Sequence, residues 1–278
     1  MKLFILTDME GAAGVFSWDL HVFRAGRYHE LAKQLVTAEV NAAIDGARAG
    51  GATEIVVWDS HGPGTLNILD VRPGVRIIQG RTEPPHGLDD SFDAFFQTCQ
   101  HCKPHTENGV LQHAIGGGVD RFWLNDVEVG EIGLRAALAG HYGAPFVLQT
   151  GDTAACNEAR NLVPEIETAE VKQGLGEEAA IHMHPIDARQ LIAEKARRAM
   201  ERAREIPPLA FDRPYVLRIE YRAECHAEHH LKVRAGCERI GPREVRITSD
   251  DMADILRRGN PVMAPNAPKL PHTYLMRS

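Results

Sequence analysis

Carboxylate and imidazole side chains follow several apolar segments of this sequence, at the points where those segments end. They are, in chain order, Asp8 and Glu10, Asp59 and His61, His101, and Glu131. Oxygen and nitrogen donors of this kind suit zinc or manganese. Two metal ions a few ångströms apart normally need a carboxylate shared between them, and Asp8 is the best candidate for that role. The pattern therefore indicates a metal centre.

The segments that carry these side chains alternate between strand and helix patterns. Lys2 to Thr7 is a continuous apolar run, typical of a strand that is covered on both faces. Residues 28–49 have apolar side chains at helical spacing, and the run 54–58 (EIVVW) is again strand-like. Strand, helix and strand predict a parallel sheet, whose carboxyl ends would meet at one edge. Asp59 is expected to orient His61 from behind rather than to bind metal.

The same alternation continues to about residue 206 and predicts an α/β fold with a mainly parallel sheet flanked by helices. Further strands are expected at 75–80, 94–99, 144–152 and 168–172, a hairpin at 122–130, and helices at 131–142, 153–162 and 186–205. Pro207-Pro208 then marks a break. The remainder predicts a smaller C-terminal α+β unit, with strands at 215–221 and 243–249 and a helix capped by Ser249. We expect residues 1–206 to form the metal-binding domain and 207–278 the smaller unit, unless the two pack as one domain.

Composition narrows the class of protein. The chain has 278 residues, of which 44% are hydrophobic and 25% charged, with a formal net charge of −7. An acidic balance without a basic block argues against nucleic acid and against an anionic membrane surface as partners. There is no signal-peptide pattern, and the five cysteines do not resemble a secreted disulfide framework. These observations predict a cytoplasmic protein.

Five short blocks resemble, in the same order, the signature blocks of the dizinc D-aminopeptidases of the DppA family. The blocks are TDMEG (7–11), WDSHG (58–62), HTENGVLQH (105–113), LNDVEVGEIGL (124–134) and TGD (150–152). The resemblance is strongest over the first two-thirds of the chain. It implies a peptidase that removes N-terminal residues from short peptides, and a ring-shaped homo-oligomer, a decamer. It favours substrates with D-residues, although L-residues stay open.

The resemblance also implies a role for individual residues. The metal ligands would be Asp8, Glu10, His61, His101 and Glu131, and the catalytic histidine would be His113. Two zinc ions per subunit are expected, with manganese or cobalt as alternatives. Asn125 is either a hairpin residue or a substrate contact.

One block departs from the family pattern. The ligand histidine lies in Cys99-Gln100-His101-Cys102, and His105 in the same loop is a rival ligand. We prefer His101 because it directly follows the apolar strand. The two cysteines leave open a thiolate ligand, or an oxidation that inactivates the site.

Two other functions remain open from the sequence. The first is another dinuclear metallohydrolase, a phosphoesterase or an amidohydrolase. Against a phosphate site, we find no glycine-rich phosphate cradle and no arginine adjacent to the blocks. The second is a non-catalytic zinc or redox-sensing protein that uses the C-x-x-C pair and a histidine-rich tail segment. That segment contains Cys225, His226, Glu228, His229 and His230, which we expect to form a polar helix face.

Overall fold

Two β-sheets and the helices packed on them make up the computed structural model, which describes residues 1–62, 64–116 and 118–261. The strands are β1 (Lys2–Thr7), β2 (Glu54–Asp59), β3 (Arg76–Ile78), β4 (Ala94–Gln100), β5 (Val119–Leu124), β6 (Val127–Val129), β7 (Phe146–Asp152), β8 (Glu167–Gly176), β9 (Ala179–His182), β10 (Tyr215–Tyr221), β11 (Glu238–Arg239) and β12 (Glu244–Ser249). The α-helices are α1 (His29–Ala49), α2 (Glu131–His141), α3 (Thr153–Leu162), α4 (Pro185–Glu201), α5 (Glu224–Val233) and α6 (Met252–Gly259). A short π-helical turn covers Trp18–Val22.

The larger sheet has the strand order β3-β2-β1-β4-β7-β8-β9, and all neighbours are parallel except β8 and β9. The chain runs outward from β1 in one direction and from β4 in the other. Right-handed crossovers therefore place helices on both faces, with α1 packed on α4 and α2 on α3. This confirms the predicted α/β class. The reversal of strand order lies between β1 and β4, and such a switch point opens a crevice at the carboxyl ends of the strands.

The smaller sheet is antiparallel and has the order β11-β12-β10-β5-β6. Inward-facing side chains of β10 alternate with half-buried ones, as the sequence predicted. The β5–β6 hairpin turns at Asn125 and Asp126, which both have positive φ (45° and 65°), as a tight hairpin requires. Because this hairpin pairs with β10, the smaller sheet joins the C-terminal segment to residues 119–129. The division at 206/207 stays a prediction, and the shared sheet favours its one-domain form.

Two local expectations differ from the structure. Asp251, not Ser249, caps α6, because its carboxylate accepts a hydrogen bond from the Ala253 amide (2.9 Å). The histidines of α5 do not all lie on a polar, exposed face as predicted, because His226 and His230 are buried. The His230 Nδ1 atom lies 2.7 Å from the Tyr221 hydroxyl, so this histidine completes a small core beneath β10.

None of the helices in the described part of the chain is both long and apolar enough to cross a membrane.

The close crossing of α1 and α4 depends on a glycine. A Cβ atom at Gly46 would lie 2.1 Å from the backbone carbonyl oxygen of Ala193 in α4. Backbone cannot yield to such a contact as a flexible side chain can. The helices would have to move apart, which would disturb the face of the sheet that they cover.

Gly46→Leu should therefore destabilise the protein, by about 3 kcal/mol, because overpacking forces the two backbones apart. The measurement is the urea midpoint of unfolding followed by circular dichroism. Ala49→Leu, at an exposed position of the same helix, is the matched control and should unfold close to wild type. Equal midpoints for the two variants would show that the crossing does not need glycine.

Candidate metal centre

The carboxyl ends of three adjacent strands bring most of the sequence-predicted ligands together. Strands β2, β1 and β4 are neighbours in the sheet. His61 follows β2, Asp8 and Glu10 follow β1, and His101 follows β4. The remaining two residues come from elsewhere: Glu131 begins α2, and His113 lies in the loop between β4 and β5.

The first group of side chains consists of Asp8, Glu10 and His61, whose donor atoms all lie within 4.8 Å of one another. The His61 Nδ1 atom is 2.9 Å from Asp8 Oδ1 and 3.4 Å from Glu10 Oε2. Both carboxylates are buried. Two acids and one imidazole thus face a common point.

The second group consists of His101, His113 and Glu131, again with donor atoms within 4.8 Å. Glu131 Oε1 lies 3.3 Å from the Nε2 atom of His101 and 3.9 Å from that of His113. The two imidazole rings are stacked, with centroids 3.9 Å apart. The groups are not independent, because the other oxygen of Asp8, Oδ2, is 3.7 Å from His101 Nε2. Asp8 therefore faces a histidine of each group with a different oxygen, as a bridging carboxylate must.

Burial and mutual repulsion shape the electrostatics of the cluster. Burial, with the nearby charge of Glu10, raises the pKa of Asp8. Burial alone would lower the pKa values of the histidines, yet the charges and hydrogen bonds of Glu10 and Asp8 raise that of His61. In the same way Glu131 outweighs burial and raises the pKa of His101 to about 10. The carboxylates thus make the local electrostatic potential negative, which stabilises positive charge, such as a protonated histidine or a metal ion, at this point.

The donor set fits zinc. His101 Nδ1 donates a hydrogen bond to the Cys102 carbonyl (2.9 Å), which directs Nε2 toward the carboxylates. This Nε2 atom is buried and, among the residues that the structure describes, makes no hydrogen bond of good geometry, although Glu131 Oε1 lies 3.3 Å away. Such an orphaned nitrogen, facing two carboxylates, is what a metal ligand looks like without its ion.

His113 differs from the other two histidines. Burial and the adjacent His101 lower its pKa to about 3, so the ring is neutral. Its Nδ1 atom donates to the Leu111 carbonyl (3.0 Å), and this hydrogen bond leaves Nε2 as the proton-accepting nitrogen. The Trp18 ring meets it edge-on, with centroids 5.0 Å apart. The ring is therefore held from two sides.

A buried lysine holds the loop that carries the first group. The Lys172 ammonium, from β8, donates hydrogen bonds to three backbone carbonyls after β1. The loop after β1 therefore bends around this ammonium group. The acceptors are the carbonyl oxygens of Glu10, Ala12 (3.2 Å) and Val15 (2.6 Å). Burial lowers the pKa of Lys172 to about 8.

A buried glutamate does the same for the second group. Glu158 of α3 accepts hydrogen bonds from the amides of Lys103 (2.7 Å) and Gly130 (3.0 Å). These amides lie two residues after His101 and one residue before Glu131. One carboxylate therefore joins the two segments that present the second group.

A close backbone approach explains the glycine of TDMEG. A Cβ atom at Gly11 would lie 2.3 Å from the carbonyl oxygen of Gln100, and the Gly11 amide donates to the Cys99 carbonyl (2.7 Å). The loops after β1 and β4 thus touch directly. A side chain at Gly11 would separate Glu10 from His101.

Several sequence-predicted residues lie outside the cluster. Asp59 does not orient His61; its carboxylate accepts from the amides of Thr65 and Leu66 and orders the loop instead. His105, the rival ligand, is exposed and pairs with Asp120 (2.8 Å). The Asn125 side chain bonds the backbone of Asp212 and Val216, so these contacts lend no support to a substrate role.

The cysteine pair offers no thiolate. Cys99 and Cys102 are buried and free, and burial raises the pKa of both thiols. The Cys99 thiol donates to the buried Glu39 carboxylate (3.3 Å). Neither sulfur belongs to the two groups of donor atoms.

Sequence reasoning missed the supporting residues. Lys172 and Glu158 carried no signal, since a charged residue in a strand or helix normally faces solvent. The statement that no arginine is adjacent to the blocks was wrong: Arg135 follows the block 124–134 directly. Its position four residues after Glu131 on α2 places both side chains on one helix face, and that spacing could have found it.

Comparisons with known proteins agree with one another. The profile of peptidase family M55, described as D-aminopeptidase, matches residues 1–260. A D-aminopeptidase of Bacillus subtilis (strain 168) is 35% identical over 260 residues, which cover 91% of this chain and 93% of the relative. A solved structure, the Zn-dependent D-aminopeptidase DppA from Bacillus subtilis, described as a self-compartmentalizing protease, superposes with a TM-score of 0.88. It is 32% identical, and the match covers 93% of this chain and 95% of that one.

Lys172→Met should weaken zinc binding roughly 10-fold or more, because three carbonyls of the ligand loop would lose their donor, at about 1–3 kcal/mol for each unsatisfied buried group. Zinc affinity is measured by competition with a chromogenic chelator. Lys232→Met, at an exposed position, is the control and should bind zinc as wild type does. Wild-type affinity in the Lys172 variant would show that the ligand loop keeps its shape without the lysine.

Proposed function

Since the chain belongs to peptidase family M55, the D-aminopeptidases, we propose that it removes the N-terminal residue of short peptides at a centre of two zinc ions. The proposed ligands are Asp8, Glu10, His61, His101 and Glu131. One observation carries the proposal: the two oxygens of Asp8 face His61 in one group and His101 in the other. A shared carboxylate of this kind is what a pair of metal ions requires. Manganese or cobalt could replace zinc with the same donors.

Zinc, when bound, supplies a Lewis acid for the peptide carbonyl and makes a water molecule nucleophilic near neutral pH. The chain's own groups supply the remaining chemistry. The neutral His113 presents Nε2 beside Glu131, so it can take up a proton and pass it to the leaving amine. In its protonated form it would also stabilise negative charge that develops on the carbonyl oxygen.

The carboxylates also suit the substrate's free α-amino group. Asp8, Glu10 and Glu131 give the cluster a negative charge that attracts an ammonium, and a capped N-terminus would lose that attraction. We propose D-residues at the first position, because both named relatives are D-aminopeptidases. Some activity on L-residues is compatible with the same cluster.

We also propose that the chain self-assembles. The support is its likeness to a structure described as a self-compartmentalizing protease. We propose a ring-shaped decamer as the form of this assembly. We separately propose that the protein is cytoplasmic. The alternative of a redox sensor built on Cys99 and Cys102 has little support, because their buried thiols are poor nucleophiles.

Zinc-loaded protein should release D-alanine from D-alanyl peptides with a free N-terminus, and faster than it releases L-alanine from the L-isomers. The measurement is amino-acid release followed by chromatography, with chelator-treated protein as the control. Absence of cleavage of both isomers by folded, zinc-loaded protein would contradict the proposed function.

His113→Ala should lower kcat by a factor of roughly 100 to 10,000, the range of general acid–base catalysis, and leave the zinc content unchanged. Asp8→Ala is the contrasting variant and should lose both zinc ions and activity together. Zinc content is measured by atomic absorption after dialysis. Loss of zinc from the His113 variant would make this residue a ligand and reverse its assignment.

A further inference from the structure

Arg135 is a cation that the proposed zinc chemistry does not use. Its guanidinium lies over the Trp58 ring, 5.1 Å from the centroid, and its Nη1 atom is 3.1 Å from His86 Nε2. Across residues 1–62, 64–116 and 118–261, no carboxylate lies within ion-pair distance of it, although the charges of Glu131 and Asp8 reach it. Its fixed partners are thus an aromatic face and an imidazole, neither of which carries negative charge.

His86 is held as a neutral acceptor. Its ring stacks on Trp58 with centroids 4.0 Å apart and an interplanar angle of 17°, and its Nδ1 atom lies 2.8 Å from the Thr82 hydroxyl. Burial and the charge of Arg135 lower its pKa to about 3. His86 therefore accepts one hydrogen bond through Nε2 and fixes the plane of the guanidinium. A guanidinium has five N–H donors, so most of them remain for a ligand.

Within the described residues, the charge of Arg135 has no anionic partner left once Glu131 and Asp8 hold metal. Burial lowers its pKa, and the charges of Glu131 and Asp8 act in the opposite direction. Those two carboxylates are proposed metal ligands, and bound zinc ions would become the dominant local charges. A partly buried guanidinium beside a zinc centre then favours an anion supplied from outside.

The position of Arg135 limits the length of the substrate whose anionic end could reach it. It lies four residues after Glu131 on α2, about 6 Å further along the helix axis. The charges of Glu131 and Asp8 both act on its guanidinium, which therefore lies within electrostatic range of the cluster, so only a short substrate held at the cluster could present its other end to Arg135. A cavity of about 30 Å³ borders it, lined among others by His86, Leu134 and Ile115. This is room for a group the size of a carboxylate, and Ile115 belongs to the loop that carries His113.

We propose that Arg135, supported by Trp58 and His86, binds the C-terminal carboxylate of a dipeptide or tripeptide substrate. The proposal rests on the proposed aminopeptidase function and adds one recognition element to it, a free carboxylate at the other end of the peptide. The planar fork of the guanidinium suits a bidentate carboxylate, whereas an amide or a longer chain would leave its charge unpaired.

The test compares D-alanyl-glycine with D-alanyl-glycinamide, which differ only in the terminal carboxylate. Zinc-loaded wild type should cleave the acid with a kcat/KM roughly 10- to 100-fold higher than the amide, as expected for a charge-assisted hydrogen bond, mainly through a lower KM. In Arg135→Met this acid-to-amide ratio should fall toward one, and Arg135→Lys, which keeps the charge without the fork, should be intermediate. Zinc content is measured for each variant.

The matched control is Arg218→Met. Arg218 also lies over an indole, that of Trp123 at 3.5 Å, but it belongs to the smaller sheet and pairs with Glu244. It should keep the wild-type ratio. Equal cleavage of acid and amide by wild type, or equal losses on both substrates in Arg135→Met, would overturn the carboxylate site and leave the aminopeptidase standing. Cleavage of neither substrate by zinc-loaded wild type would remove the aminopeptidase function, and this proposal with it.

Discussion

The crowding of three carboxylates at one edge of the central sheet is the constraint on which the rest of this structure depends. Asp8, Glu10 and Glu131 lie close enough to raise or offset one another's pKa values, and at least two of them are buried. Like charges at such distances repel strongly in a low-dielectric interior. The arrangement becomes favourable only with cations between them, which two histidines supply in part and metal ions supply in full. A site of this kind is unstable by itself and is stabilised by the ions it binds.

The cluster is stabilised by buried charged side chains that do not belong to it and that bind the backbone of its loops. The loops that carry the ligands are irregular, and their backbone amides and carbonyls need partners because they are buried. Lys172 satisfies carbonyls behind the first group, and Glu158 satisfies amides behind the second. Each support uses a full charge against backbone dipoles, which gives stronger hydrogen bonds than neutral side chains would. The geometry of the metal site is thus set from outside the site.

The smaller sheet has a direct part in the site. Strand β6 ends two residues before Glu131, so the hairpin that pairs with β10 delivers this glutamate and the helix behind it. Helix α2 then presents Glu131 to the donor cluster and, one turn later, Arg135, which we propose binds the end of the substrate. One helix thus carries both a residue of the cluster and the proposed recognition residue. The described part of the C-terminal segment adds no residue to the two donor groups, yet through β10 it is tied to the hairpin that leads into α2.

Local pattern in the sequence was enough for most of the elements, though not for β9, β11 or the turn at Trp18–Val22, and for most of the cluster. Apolar runs reported the buried strands, and parallel strands must end at a common edge, so Asp8, Glu10, His61 and His101 could be placed near one another in advance. The Asn125-Asp126 turn was equally local, since both residues tolerate positive φ.

The residues that support the cluster were decided only by tertiary structure. Lys172 reaches carbonyls about 160 residues earlier in the chain, and Glu158 reaches an amide 55 residues away. The inward turn of His226 and His230, and the place of Arg135 over Trp58, also depend on contacts with distant segments. Periodicity records which face of an element is buried, but a charged residue carries no local mark of the partner that the fold will bring to it.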